Sequence, residues 1–241
     1  MSTPSTRGSR GARARRVRLA AAATAVLAVA LTGCGVAGTS FQPGVAADVD
    51  GDRISTDRVD RLVGDYCDAV RDQLQQDGSV VPLGYLRSGV VGQLALVSAA
   101  EQLAEEHGVE PTDDYDRVVT DLRGQTRDLP EDQQDAVIAI NGSSAYVQAV
   151  QLAVGDKLLT EEGQPTGPEA AGQRGADELT RWLDDHDIKL NPEFGISFQD
   201  GQVVSEDTQL AVAVGDTATT SALEAPDQEY AKSLPASQRC S

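Results

Sequence analysis

The chain has 241 residues, of which 20 are basic and 38 acidic, and its net charge at pH 7 is −18. Removing residues 1–33, which hold six arginines and no acidic residue, leaves 14 basic side chains against 38 acidic ones, a net charge of −24. So acidic a chain repels the phosphates of nucleic acids, and we expect no nucleic-acid partner. Aromatic residues make up only 4% of the chain, so its core must consist of Val, Leu and Ala, which favours helices.

Residues 1–33 have the three parts of a secretory signal peptide. A basic stretch, residues 1–18, is followed by an apolar run over residues 19–31 and then by small residues. The apolar run is too short to cross about 30 Å of hydrocarbon as a helix. Arg15-Arg16 would suit the twin-arginine export route, but the flanking residues fit that route poorly, so we favour general secretion.

The signal peptide ends in residues 31–34, Leu-Thr-Gly-Cys, which resemble the lipobox of bacterial lipoproteins. We therefore predict cleavage before Cys34 and lipidation of its thiol. The lipid would hold the protein on the extracytoplasmic face of the cell membrane. The alternative is an ordinary secretion signal with a chance cysteine at this place.

Composition divides the rest of the chain into three parts. Residues 34–44 are small, polar and marked by Gly and Pro, which predicts a lipidated tether. Residues 45–204 carry the periodic apolar patterns of a folded domain. Residues 205–241 are rich in Ala, Thr and Ser and are predicted to form a polar, poorly ordered tail. Within that last part, residues 210–214 (LAVAV) could form one short strand.

The folded part begins with a predicted strand and turn over residues 46–54, with the turn at Asp50-Gly51. Apolar residues spaced by three and four then predict successive amphipathic helices. The second helix is apolar over so much of its surface that we expect it to be central. Alternating residues around Phe194 and a turn at Asp200-Gly201 predict a late hairpin. The helices are predicted over about residues 55–77, 82–107, 112–122, 130–140, 144–160 and 169–186. The predicted fold is thus mainly α, an irregular bundle of five or six helices with a small β element.

Residues that could carry chemistry are few, and the chain lacks the motifs of hydrolases, zinc sites and phosphate-binding loops. His107 and His186 each end a predicted helix, where a cation suits the helix dipole. We therefore predict no catalytic residue, no metal ligand and no cofactor. Clusters of acidic residues match no calcium loop and are typical of solvated helix ends, and whether they bind a cation is left open. These clusters are Asp113, Asp114 and Asp116; Glu161 and Glu162; and Asp184, Asp185 and Asp187.

Two cysteines follow Cys34, namely Cys67 and Cys240. Export permits a disulfide, and two cysteines allow only one intramolecular pairing. Cys67 lies on the apolar face of the first predicted helix, and Cys240 ends the polar tail. The prediction is a Cys67–Cys240 disulfide, and its alternative is a buried thiol with a free tail.

Three segments, in order, resemble the SurA N-terminal domain family. Residues 46–55 (AADVDGDRIS) are similar to its opening strand and capped helix. Residues 86–112 (LRSGVVGQLALVSAAEQLAEEHGVEPT) resemble its long second helix. Residues 190–195 (LNPEFG) resemble a late motif of SurA-like lipoproteins, with Glu193 where arginine is usual.

The resemblance implies a chaperone-like helical domain whose first strand pairs with a late strand. It predicts a protein that binds unfolded or partly folded exported polypeptides. SurA and PrsA relatives also hold a parvulin prolyl isomerase domain of ~90 residues, for which the interval between the fifth helix and Asn191 is too short. No enzyme activity is therefore expected. Two other classes stay open, an adaptor lipoprotein with one specific envelope partner and an enzyme on a diverged scaffold.

The lipobox hypothesis predicts that Cys34→Ser abolishes lipidation, because serine offers no thiol to take the diacylglyceryl group. The variant should stay unprocessed or be released from the membrane. Cell fractionation with mass measurement of the N-terminal peptide tests this. A Cys34→Ser protein that is still processed and membrane-bound would contradict the prediction.

Overall fold

A computed structural model describes residues 43–205 and 227–241. Cys34 and the strand predicted over residues 210–214 lie outside these ranges. Within them the chain is mainly helical, with three small antiparallel sheets, so the predicted fold class is confirmed.

The first element is a tight hairpin of β1 (Val45–Val49) and β2 (Asp52–Ser55). Asp50 and Gly51 connect the strands with positive φ angles of 47° and 94°, the conformation of a type I′ turn. Asp48 reinforces this turn by accepting a hydrogen bond from the Gly51 N–H at 2.9 Å. The Asp-Gly signal therefore predicted this turn correctly.

A third strand, β4 (Ile188–Leu190), pairs antiparallel with β1 on the side opposite β2. Ala47 faces Leu190, and Val49 faces Ile188. The N-terminal strand thus pairs with a late strand, as expected. The pairing brings together two parts of the chain that six helices separate in sequence.

The helices follow the predicted boundaries closely. Ser55 caps the first helix by accepting a hydrogen bond from the Arg58 N–H at 3.2 Å, a contact typically worth about 1 kcal/mol. Gly78 and Gly108 end the first and second helices in the left-handed conformation that glycine adopts most readily. The helices are α1 (Thr56–Asp77), α2 (Leu83–His107), α3 (Asp113–Thr126), α4 (Glu131–Asn141), α5 (Ser143–Glu161) and α6 (Pro168–Asp185).

Helix α2 is central, as its apolar composition predicted. It contacts α1, α5, α6 and the hairpin of β1 and β2. Its buried side chains form the middle of the core, which continues into β1, α5 and α6. The residues of α2 in this core are Val90, Val91, Leu94, Ala95, Ala99, Ala100, Leu103 and Ala104.

Helices α5 and α6 approach each other more closely than side chains normally allow. A Cβ atom at Gly155 would overlap the backbone carbonyl of Ala171, and one at Gly175 would overlap that of Gln151. Both glycines are therefore required by this backbone-to-backbone contact. It holds α6 against α5 along much of its length.

A second hairpin follows β4 and a short 3-10 turn, Pro192–Phe194. Its strands are β5 (Ile196–Gln199) and β6 (Gln202–Ser205), joined at Asp200-Gly201 as predicted. Val203 packs on α2 at Gly92, where a Cβ atom would lie 2.7 Å from a Val203 methyl group. The hairpin therefore covers part of the central helix.

The C-terminal residues differ from the prediction of a poorly ordered tail over 205–241. Residues 227–241 form a short helix α7 (Gln228–Ser233), a 3-10 turn and β7 (Arg239–Cys240). Strand β7 pairs with β3 (Val81–Pro82). The side-chain amide of Gln228 also donates to the Val80 carbonyl and accepts from the Val80 N–H. The small, polar composition of this segment suggested disorder. The partners that anchor it lie far away in sequence, so composition could not reveal them.

The same segment contains the disulfide. Cys67 and Cys240 are bonded, with their Cα atoms 5.5 Å apart and a sequence separation of 173 residues. Both sulfur-bearing residues are buried. A cross-link that closes so long a loop restricts the unfolded chain and stabilises the fold by up to about 5 kcal/mol in the chain-entropy model.

Among the described residues, no single helix is both long enough and apolar enough to span a membrane. Helices α4 and α5 meet those criteria only as a pair, with a bend of 48° between them.

The contact between α5 and α6 predicts that Gly175→Ala destabilises the protein, because the new methyl group must displace the backbone of Gln151. The free energy of unfolding should fall by about 2–3 kcal/mol. Urea denaturation of the mature protein measures this change.

Gly172→Ala is the matched control in the same helix. Its Cβ atom would meet the Leu152 side chain at an ordinary 3.7 Å. It should be neutral or stabilising, since alanine favours a helix by about 1 kcal/mol over glycine. Equal effects of the two substitutions would contradict the close contact.

Candidate functional site

A cleft of about 370 Å³ opens between the first two turns of α2 and the Pro192–Phe194 turn. Gly84, Arg87 and Ser88 line it from the helix. Glu193 and Phe194 line it from the turn. Charged and aromatic groups thus meet at one concave surface, which makes this cleft a candidate binding site.

The Pro192–Phe194 turn is held in place by Asn191. Its side-chain oxygen accepts from the Glu193 N–H at 3.1 Å, and its amide nitrogen donates to the Val45 carbonyl at 3.0 Å. Gly195 then leaves the turn with a positive φ of 59°. The wall of the cleft is therefore fixed to strand β1.

Arg87 is held on two sides. Its Nη2 atom lies 2.7 Å from an Asp60 carboxylate oxygen on α1. Its guanidinium carbon lies 5.6 Å from the centre of the Phe194 ring, within the range of a cation–π contact. Asp60 and the ring together orient the guanidinium and offset its charge.

Ser88 and Phe194 close the floor of the cleft. The Ser88 hydroxyl donates to the Phe194 carbonyl at 2.6 Å, which ties α2 to the turn. Phe194 itself is 6% exposed, so its ring serves as a packed surface beneath Arg87. Gly84 has no side chain, and a Cβ atom there would meet nothing within 4 Å. The cleft is consequently open above the first turn of α2.

Large apolar side chains elsewhere in the described residues are buried or partly buried. Within residues 43–205 and 227–241, Tyr85, the residue after Gly84, is the most exposed large hydrophobic residue, at 37%. Tyrosine and arginine are the side chains that most often dominate protein-protein binding energy. The exposed aromatic residue and the cleft adjoin each other on α2.

Both histidines lie at another place, where the C-terminal ends of α2 and α6 meet. His107 Nε2 lies 3.8 Å from Glu178, and His186 Nε2 lies 3.4 Å from Glu106. The His186 ring stacks on Trp182 with 3.9 Å between ring centres. The histidine at the end of α2 thus faces a glutamate of α6, and the histidine at the end of α6 faces a glutamate of α2. Their predicted place at helix ends is observed.

Glu178 is a structural acid. Burial raises its pKa, but the hydrogen bonds and charges of Arg174 and Arg181 outweigh burial and hold the pKa below its usual range. Arg174 also pairs with Glu162 at 3.0 Å. A carboxylate bound by two guanidinium groups is stabilised in its charged form and is a poor proton donor.

A second group of perturbed side chains surrounds Glu101. Burial and the nearby charges of Asp52 and Glu105 raise the pKa of Glu101. Burial and the charge of Glu101 raise the pKa of Tyr146 to about 12, and the pKa of Tyr115 shifts in the same direction. The two tyrosine rings meet edge to face at 5.1 Å. Such hydroxyls stay protonated and provide no nucleophile.

The acidic clusters do not gather around a shared point. In the part of the chain that the structure describes, no three His, Cys, Asp or Glu side chains are grouped so that they could hold a metal ion.

Comparison with known proteins finds no match, since no family model, no curated protein and no solved structure is similar to this chain.

Sequence reasoning identified Glu193 as a departure from a family pattern but missed Arg87 and Ser88. These two residues follow Leu86 in the chain but lie on other sides of the helix from the face that Leu86 and Val90 share, where polar residues are ordinary. The sequence pattern therefore gave no specific signal for them. Their partners Asp60 and Phe194 could not be found without the fold.

The paired state of Glu178 predicts a pH-dependent contribution to stability. Its pKa is lower in the folded than in the unfolded protein, so it stabilises the fold above an unfolded pKa of about 4.3. That contribution is lost as the pH falls through the folded pKa. Glu178→Gln should therefore lower the free energy of unfolding at pH 7 by about 1–3 kcal/mol.

Urea denaturation at several pH values measures this effect, and the difference between the two proteins should shrink between about pH 5 and pH 3. Asp177→Asn, at the exposed neighbouring position, is the control and should change stability by less than about 0.5 kcal/mol. A difference that stays constant across this pH range would rule out the ion-pair role.

Proposed function

We propose that this protein is a lipid-anchored, extracytoplasmic protein that binds other exported polypeptides, and that it acts as an adaptor for one specific partner. The cleft beside Tyr85 carries this proposal. It offers a small concave site with an oriented arginine and an adjacent exposed aromatic residue. Such a site suits one complementary segment of a partner.

The broader hypothesis, a chaperone for unfolded exported proteins, is the second candidate. The pairing of β1 with β4 supports it, because the resemblance to the SurA N-terminal domain implies this arrangement. A general chaperone also needs wide apolar surfaces that tolerate many sequences. Among the described residues Tyr85 is the most exposed large apolar side chain, but many others, such as Leu62, Leu83 and Leu86, are only partly buried. The cleft, and not the extent of apolar surface, therefore favours the adaptor.

Prolyl isomerase activity is not part of the proposal. The interval between α5 and β4 is occupied by α6 and its two connecting loops. Helix α6 belongs to the core through Leu179, Trp182 and Leu183. A parvulin domain of ~90 residues does not fit there.

The proposal predicts a single partner at the cleft. A photo-crosslinking residue in place of Tyr85, in living cells, should give one saturable cross-linked product. The same residue in place of Asp128, whose side chain is 90% exposed between α3 and α4, should not give that product. Mass spectrometry of the product identifies the partner.

Two glycine variants control for position within α2. Gly84→Leu should fill the cleft and remove the cross-link, because Gly84 lines the cleft and a Cβ atom there meets nothing within 4 Å. Gly89→Leu also meets no neighbour within 4 Å but lies outside the cleft, and it should preserve the cross-link. Many products, together with reduced light scattering from an aggregating denatured client, would favour the chaperone. If no cross-link forms and aggregation is unchanged, both functions are excluded.

A further inference from the structure

We propose that the cleft binds a basic side chain, lysine or arginine, of the partner polypeptide, and that Glu193 is its ion partner. This inference rests on the proposed function and names the chemistry of the segment that is bound.

The charges that line the cleft favour a cation. Arg87 contributes one positive charge, but Asp60 lies 2.7 Å from it and offsets it. Glu193 also lines the cleft, and no ion pair engages it within residues 43–205 and 227–241. The charge that remains uncompensated is therefore the carboxylate of Glu193.

The net charge of the protein acts in the same direction. The chain carries −18, and the protein that follows the predicted cleavage carries −24. A field of this sign draws cations toward a concave site and repels carboxylates and phosphates. An anion that approached Arg87 would compete with Asp60 for the Nη2 atom. The Nε atom of Arg87 has no hydrogen-bond partner among the described residues, but it is buried and does not reach the surface of the cleft.

The shape of the cleft suits one long side chain. The missing side chain at Gly84 leaves open space above the first turn of α2. Tyr85 follows Gly84 and is exposed, so its ring is available to an ammonium or guanidinium group that enters beside it. Phe194 and Ser88 close the floor by packing and by a hydrogen bond, and Glu193 lines the cleft as an exposed residue.

The test uses the full chain in detergent micelles and three blocked hexapeptides labelled with a fluorophore. One alternates lysine with serine, one glutamate with serine, and one glutamine with serine. Fluorescence anisotropy measures their dissociation constants. The lysine peptide should bind most tightly, and its affinity should fall as sodium chloride is added, because salt screens a partly exposed ion pair.

Four variants locate the binding. Glu193→Gln and Gly84→Leu should each weaken binding of the lysine peptide by about fivefold, the loss expected for one such ion pair. Asp128→Asn removes a negative charge that lies outside the cleft and faces Arg127, and Gly89→Leu adds the same bulk outside the cleft. Both should change the affinity by less than about twofold, which separates local binding from general attraction to an acidic protein.

An unchanged affinity in Glu193→Gln would overturn the proposal, as would a preference for the glutamate peptide. Either result, combined with a specific cross-link at Tyr85, would leave the adaptor function standing and assign the cleft a different chemistry. Binding that depends on Glu193 without any partner cross-linked at Tyr85 would support the cation site and contradict the adaptor function.

Discussion

The antiparallel pairing of β1 with β4 joins the start of the described chain to residues that follow all six long helices. The candidate cleft depends on this pairing through Asn191, which directly follows β4. Its backbone N–H donates to Ala46 at 2.9 Å, and its side chain both binds Val45 and caps the next turn. Only with Asn191 fixed in this way do Glu193 and Phe194 face the first turns of α2. A change that separated the two strands would therefore remove a wall of the cleft without touching any residue that lines it.

Elements whose cause is local could be predicted from the sequence. Both Asp-Gly turns, the cap at Ser55 and the helix ends at Gly78 and Gly108 are set by residues within one turn of chain. The close contact between α5 and α6 was not predicted, because Gly175 has no local role in a helix and its reason lies in the backbone of Gln151. The order in residues 227–241 was missed for the same reason. Its composition resembles that of a disordered segment, and its anchors are Cys67, Val80 and β3.

The candidate site shows the same division between local and distant causes. Glu193 attracted notice as a single unexpected residue, whereas the importance of Arg87 follows from Asp60 on α1 and Phe194 beyond β4. The disulfide could be predicted from the sequence because two exported cysteines permit only one intramolecular pairing. In contrast, the histidines kept their expected positions at helix ends but gained cross-helix partners that no spacing rule could name. Contacts between distant segments thus decide which polar residues form a site.

The position of the cleft in the chain bears on where a partner would be bound. Val45, whose carbonyl accepts from Asn191, follows directly on residues 34–44, the predicted tether. Eleven residues reach at most about 40 Å when fully extended. If Cys34 is lipidated as predicted, Val45 can lie no farther than about 40 Å from the membrane surface. The cleft can lie farther away than Val45 only by the width of the domain. A partner that carries a basic segment close to its own membrane attachment could meet the cleft at high local concentration, even when a single ion pair contributes little affinity.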